Sequence, residues 1–247
     1  MIFQKPTRTS GFTLVELLVV IVIIGSLAAL SFTVGPKMMA KARATESMQN
    51  IRQIGPVIMN YASDNAMQLP AILAQAVQED GTTPMVQWHE ECLETLYPND
   101  KLSDFRTADW WNKNKPFMRN PMFKQGATPR GWTPQNPGYA FNEMIVENLA
   151  LATGAALPSH DVLLARRVPM ASITEPNRTP LIAPYDNYYY RFDEAETGAF
   201  LKSNNFKKLS VEGKIPVLFI DGHLESLKPE EYVERRLHRI PSPESDQ

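Results

Sequence analysis

Cysteine is almost missing from this sequence: Cys92 is the only one in 247 residues. That excludes an internal disulfide framework and any cysteine-rich metal site. His89 and Cys92 do form a His-Glu-Glu-Cys stretch, but two ligand types without a second pair read as packing and surface residues, so no metal site is expected there. A surplus of basic charge is missing as well. Lys and Arg number 25 against 27 Asp and Glu, for a net charge of −2, and the basic groups are scattered along the chain. No basic stripe exists to track a phosphate backbone, so nucleic acid is not an expected partner.

What is present is one long apolar run. From Phe12 to Val34 the only ionisable side chain is Glu16, and at 1.5 Å per residue the run spans about 30 Å of hydrocarbon as a helix. A secretory signal peptide has an apolar region of only about 7–15 residues, so this one is too long for that class. Ser26-Leu27-Ala28 would be the cleavage site of the signal-peptide alternative. Lys5 and Arg8 precede the run and Lys37, Lys41 and Arg43 follow it, so charge counting does not orient it.

Beyond the run, Met38, Ala42, Thr45, Met48, Ile51, Ile54, Ile58 and Tyr61 recur every three or four positions, with Lys41, Arg43, Glu46, Gln49, Arg52 and Gln53 between them. That periodicity predicts an amphipathic continuation of the same helix to about residue 64. Gly35-Pro36 and Gly55-Pro56 are the expected kinks or interruptions.

The stretch Gly-Phe-Thr-Leu-Val-Glu-Leu-Leu-Val-Val-Ile, after a short basic leader, resembles the amino terminus of type IV pilins and of the pseudopilins of type II secretion. The resemblance implies cleavage between Gly11 and Phe12 by a prepilin peptidase, N-methylation of Phe12, and an assembly role for Glu16 at the fifth mature position. It implies an inner-membrane protein with a cytoplasmic amino terminus and a periplasmic domain, which later joins a filament. The implied partners are the prepilin peptidase/methyltransferase, membrane lipid, an inner-membrane assembly platform, and copies of itself and of other pseudopilins. A looser resemblance covers residues 50–70, 136–145, 173–184 and 217–227, which occur in that order in a large group of pilin-like proteins with an Asp-Gly-His turn. Many of those carry a histidine where this chain has Val211, and the helix-breaking proline of the span is displaced here to Pro36. Some major pseudopilins hold calcium in a carboxyl-terminal loop, for which Asp186, Asn187, Asp193 and Glu194 would be the oxygen ligands here. The segment lacks a fixed calcium-loop spacing and reads rather as a solvated loop over an aromatic patch.

The rest of the chain predicts short elements among many prolines. Residues 90–98 and 140–154 read as helices, and Trp88, Trp110, Trp111 and Trp132 as anchors for loops on a small sheet. Pro216 to Ile220 reads as a strand, followed by Asp221-Gly222 as a two-residue hairpin turn with positive φ at both positions, then His223. Asp221 and His223 could pair chemically, but no nucleophile or third ligand accompanies them, so Asp221, Gly222 and His223 are read as a structural turn. After Lys228-Pro229 one or two helical turns are expected, before a polar tail.

The expected fold is α+β: a long amino-terminal helix, half transmembrane and half amphipathic, packed on a small antiparallel sheet with long irregular loops. The expected division is a leader at 1–11, a transmembrane and filament-core helix at 12–34, its amphipathic continuation at 35–65, a globular domain at 66–235 and a disordered tail at 236–247. The expected function is that of a structural pseudopilin with no catalytic residues, metal or required cofactor. The alternatives are a type IV pilus subunit for adhesion or motility and a membrane-anchored periplasmic enzyme.

Overall fold

The computed structural model describes residues 12–75, 81–123, 133–152, 158–185, 187, 189–191, 210, 213–235 and 237. Gly11 and the rest of the leader, Trp132, Asp186, Asp193, Glu194, Val211 and all of the tail except Leu237 lie outside them. The chain divides into two compact units, residues 1–42 and 43–247.

One helix, α1 (Leu14–Asp64), begins in the first unit and ends in the second. It passes through Gly35-Pro36 and Gly55-Pro56 without interruption, so of the kinks or interruptions expected there the interruptions are absent. A proline in a helix removes one N–H and crowds the preceding turn. The apolar and helix-favouring residues around both positions outweigh that local cost. In the first unit every described side chain from Phe12 to Ala42 is exposed apart from the partly covered Gly35.

In the second unit α1 buries one stripe: Ala44, Ser47, Asn50, Ile51, Ile54, Val57, Ile58, Tyr61 and Ala62. From Ile51 onward this is the expected apolar face. Before Ile51 it is not, because Met38, Ala42 and Thr45 are exposed and Met48 is only partly covered. The buried face instead turns through two polar residues. Ser47 Oγ lies 3.2 Å from the Tyr139 hydroxyl, and Asn50 Nδ2 donates to the Arg119 carbonyl at 3.2 Å. A buried polar group is tolerated when its hydrogen bonds are made, and counting apolar residues alone cannot find such positions.

The main sheet contains β3 (Tyr139–Asn142), β4 (Pro180–Pro184), β5 (Tyr189–Tyr190), β6 (Ile215–Phe219) and β7 (Leu224–Leu227), in the order β5-β3-β4-β6-β7. All neighbours are antiparallel except β3 and β5, which run parallel, so the sheet is mixed rather than purely antiparallel. A separate antiparallel pair joins β1 (Leu73–Gln75) to β2 (Met85–Gln87). The alternation of strand side chains divides the core in two. Tyr139, Phe141, Ile182 and Leu218 join the α1 stripe on one face. Ala140, Ala183, Ile215, Val217 and Phe219 join Tyr232 of the last helix, α7 (Pro229–Glu234), on the other. Gly55 sets the approach on the first face, since a Cβ there would meet the Leu218 Cδ2 methyl at 3.3 Å.

Between these lie α2 (Trp88–Leu96), α3 (Leu102–Phe105), α4 (Ala108–Asn114), α5 (Met144–Ala152) and α6 (His160–Leu164). The helix expected over 140–154 is therefore a strand followed by a helix, with Phe141 paired to Ile182 on β4. Short apolar runs do not tell the two apart by periodicity alone, and here the neighbouring strand decides. Trp88, Trp110 and Trp111 do anchor loops. The Trp88 ring lies 6.1 Å from that of Phe141, Trp110 Nε1 donates to Asp100 at 2.8 Å, and Trp111 Nε1 donates to the Phe105 carbonyl at 2.6 Å.

Candidate functional site: the amino-terminal helix and the 219–223 hairpin

Helix α1 starts with a reciprocal cap. The Thr13 hydroxyl accepts from the Glu16 amide at 3.2 Å, while Glu16 Oε2 accepts from the Thr13 amide and from its hydroxyl, both at 2.8 Å. The Leu17 amide donates to the Thr13 carbonyl at 3.2 Å and begins the helical ladder. Thr-x-x-Glu is the capping-box pattern, which satisfies two amides that a helix start leaves without partners. A carboxylate in the first turn also faces the positive end of the helix dipole. Glu16 is thus held by its own chain through one oxygen, and its Oε1 has no partner among the described residues. That oxygen is available to a cation. Phe12, just before the cap, is exposed. The Thr-x-x-Glu spacing of Thr13 and Glu16 is the sequence signal of this cap.

The β6–β7 connection is a turn of a different kind from the one expected. Phe219 N donates to the His223 carbonyl and Gly222 N donates to the Phe219 carbonyl, both at 3.0 Å. The loop is therefore three residues, Ile220-Asp221-Gly222, and of Asp221 and Gly222 only the glycine has positive φ, at 89°. A three-residue hairpin loop ends in a left-handed residue, for which glycine carries no steric cost. Asp221 Oδ1 accepts from the His223 backbone amide at 3.1 Å and lies 2.6 Å from its ring Nδ1.

His89 and Cys92 are both fully buried on α2. His89 Nε2 lies 3.0 Å from the Pro134 carbonyl, and its Nδ1 has no partner. Burial pushes the imidazole below its ordinary pKa and the thiol well above its own. A neutral ring and a protonated thiol in a core are packing groups. Among the described residues no three His, Cys, Asp or Glu side chains gather as metal ligands. Of the four calcium candidates only Asn187 lies within the described residues.

Several buried carboxylates were not singled out from the sequence. Glu91 pairs with Arg167 at 2.5 Å, and Arg167 also donates to the Tyr61 hydroxyl at the end of α1. Glu90 pairs with Arg106 at 2.7 Å, Glu143 with His160 at 2.7 Å, and Glu147 with Arg191 at 2.7 Å. Each joins segments distant in sequence, so only the fold brings the partners together. They fasten α2, α5 and the loops around the sheet.

Residues 6–32 match the family model described as the prokaryotic N-terminal methylation motif. The chain carries the type IV pilin and pseudopilin signal. The motif implies processing by a prepilin peptidase and assembly into a filament with other pilin subunits. No curated protein and no solved structure matches the chain. The matched segment covers the start of α1, whose apolar part is long enough to cross a membrane and is not buried within the chain. A single span at the amino terminus is compatible with an inner-membrane anchor, and the long helix followed by a small sheet is consistent with a pilin-like fold.

Proposed function

We propose that this chain is a pseudopilin, a structural and non-catalytic subunit of a type II secretion-type filament. On this reading the peptidase cuts between Gly11 and Phe12, Phe12 is N-methylated, and the domain after the span faces the periplasm. The observation that carries the reading is the first half of α1: an apolar helix exposed on all sides, inside a methylation motif, with one carboxylate oxygen of Glu16 left open. Such a surface needs lipid before assembly and neighbouring helices afterwards, where close packing replaces lipid contacts. Cleavage places a new amine on Phe12, four residues before Glu16, one helical turn away. An unpaired charge in hydrocarbon costs about 2.5–3.5 kcal/mol or more at the bilayer centre. The open oxygen therefore suits that amine, its own or that of a neighbouring subunit.

Mass spectrometry of the native protein should show a chain that begins at N-methylated Phe12. A start at Ala29, after Ser26-Leu27-Ala28, would sink the reading. Glu16→Ala should still insert and be cut yet enter filaments poorly, and normal filament yield in that strain would remove Glu16 from assembly. Deletion of the gene should abolish export of a folded substrate while leaving adhesion and motility intact. The opposite pattern identifies a pilus subunit.

A further inference from the structure

We propose that Lys37, Lys41 and Arg43 form a docking surface for the headgroups of anionic phospholipids in the leaflet from which α1 emerges, an inference that rests on the membrane span of the proposed function. The apolar run ends at Val34, and the next ionisable side chains along α1 are these three. No acidic residue occurs from Leu17 to Thr45. Three like charges therefore follow the run directly, and Glu46 is the first carboxylate to oppose them.

Their depth suits phosphate. Along the helix Lys37 lies about 4–5 Å beyond Val34 and Lys41 about 10 Å beyond it, against a headgroup layer roughly 5–8 Å deep on each side of the hydrocarbon. Every Cα–Cβ bond of a helix tilts toward its amino terminus. On a helix that leaves a bilayer at its carboxyl end, that tilt leans the long Lys and Arg side chains back toward the lipid. Lys37 and Lys41 stand at i and i+4 on one face, and both are exposed, as is Arg43. Met38 and Met39 between the lysines are exposed too, so side chains suited to the acyl boundary alternate with ammonium groups suited to the headgroups. Charge placement points the same way. With the domain on the translocated side, basic residues beside the span oppose the orientation that the positive-inside bias favours. Cleavage after Gly11 removes Lys5 and Arg8 from the other side, and the cluster is then the largest charge flanking the span. Each Lys or Arg near an anionic surface strengthens association about fivefold, which compensates for that placement.

The test reconstitutes the full chain in vesicles. Flotation with neutral phosphatidylcholine vesicles should be equal for the wild type and for the triple variant Lys37→Gln, Lys41→Gln, Arg43→Gln, since glutamine keeps the helix propensity and the span is untouched. A wild-type chain that fails to float overturns the span and the docking surface together. In vesicles that mix phosphatidylcholine with phosphatidylglycerol, spin-labelled lipids of each kind report which one lies against the protein. Phosphatidylglycerol should be preferred about fivefold at low salt. The preference should vanish near 1 M salt, where the Debye length is about 3 Å, and in the triple variant. Arg52→Gln, further along α1, should leave it unchanged. Flotation without a headgroup preference, a wild-type preference in the triple variant, or loss of the preference to inorganic phosphate at constant ionic strength would overturn the lipid surface while leaving the span intact.

Discussion

From Phe12 to Ala42 the described residues of α1 and its cap are exposed around the whole circumference save for the partly covered Gly35, whereas from Ala44 to Ala62 the same helix hides one stripe and wets the other. The first half has no face, because nearly every position is apolar. A helix that is hydrophobic all round is stable only in lipid or among other helices. The second half has a face that includes Ser47 and Asn50, and the domain supplies their partners. One continuous helix thus carries two different instructions. Its first half asks for a surrounding medium, and its second half asks for particular neighbours.

The sharpest way to break that contrast is to remove the same atoms from each half. Ile54→Ala, in the buried stripe, should cost about 2–5 kcal/mol through lost burial and the cavity left behind. Ile21→Ala, on the exposed half, should leave denaturant unfolding of the domain unchanged. Equal effects in a urea melt of the full chain in detergent would mean that the two halves are not distinct.

Acid should separate the halves next. Burial holds His89 below its ordinary pKa in the folded protein, while the unfolded chain takes up its proton near pH 6.5. Stability is therefore full above that pH and falls as the pH drops from about 6.5 toward the folded pKa, by up to about 1.4 kcal/mol per pH unit. The domain's near-ultraviolet signal should melt at lower temperature in that window, while helicity of the first half persists. His89→Gln should flatten the slope, and an unchanged slope would rule out His89 as its source.

Glycine replacement offers a finer comparison. Gly25 has nothing beyond its chain neighbours within 4 Å of an added Cβ, so alanine there should favour the helix by about 0.8–1 kcal/mol, whereas at Gly35 the ring of Pro36 crowds a Cβ in the helical conformation and opposes the same gain. At Gly55 the same gain is opposed by the Leu218 methyl at 3.3 Å. Helix content in detergent should rise more for Gly25→Ala than for Gly35→Ala, and the domain's melting temperature should not rise for Gly55→Ala.

The hairpin offers a last, local comparison. Gly222→Ala meets open space, so its only cost is the left-handed backbone, about 1–2 kcal/mol. A larger loss in a urea melt would mean that the loop contributes more to the domain than its turn geometry.

The extent of α1 was legible because its apolar run and the periodicity after it agree over about fifty residues, with Asp64 ending the helix where the pattern fades. The β6–β7 hairpin was legible in place but not in type. Asp-Gly marks a turn, yet the loop length depends on which strand residues pair, here Leu218 with Leu224. The strand Tyr139–Asn142 was hidden, since its apolar residues fit a helix as well until β4 lies beside them. The parallel pairing of β5, only two residues long, has no local signal at all. In the candidate site the residue types Thr13 and Glu16 were in plain view, but their cap is a statement about hydrogen bonds rather than charge.

The contact between Ser47 and Tyr139 joins residues 92 positions apart, and Gly55 meets Leu218 across a still longer stretch. Loop closure over such distances is paid before any packing rewards it, so folds built on them are slow to form. During synthesis the all-round apolar half of α1 is complete long before β6 and β7 emerge. The stripe from Ala44 to Ala62 must then wait, still exposed, until the last strands arrive to cover it. Timing therefore makes that stripe the segment with most need of a chaperone or a rapid partner, at a stage when the finished domain does not yet exist.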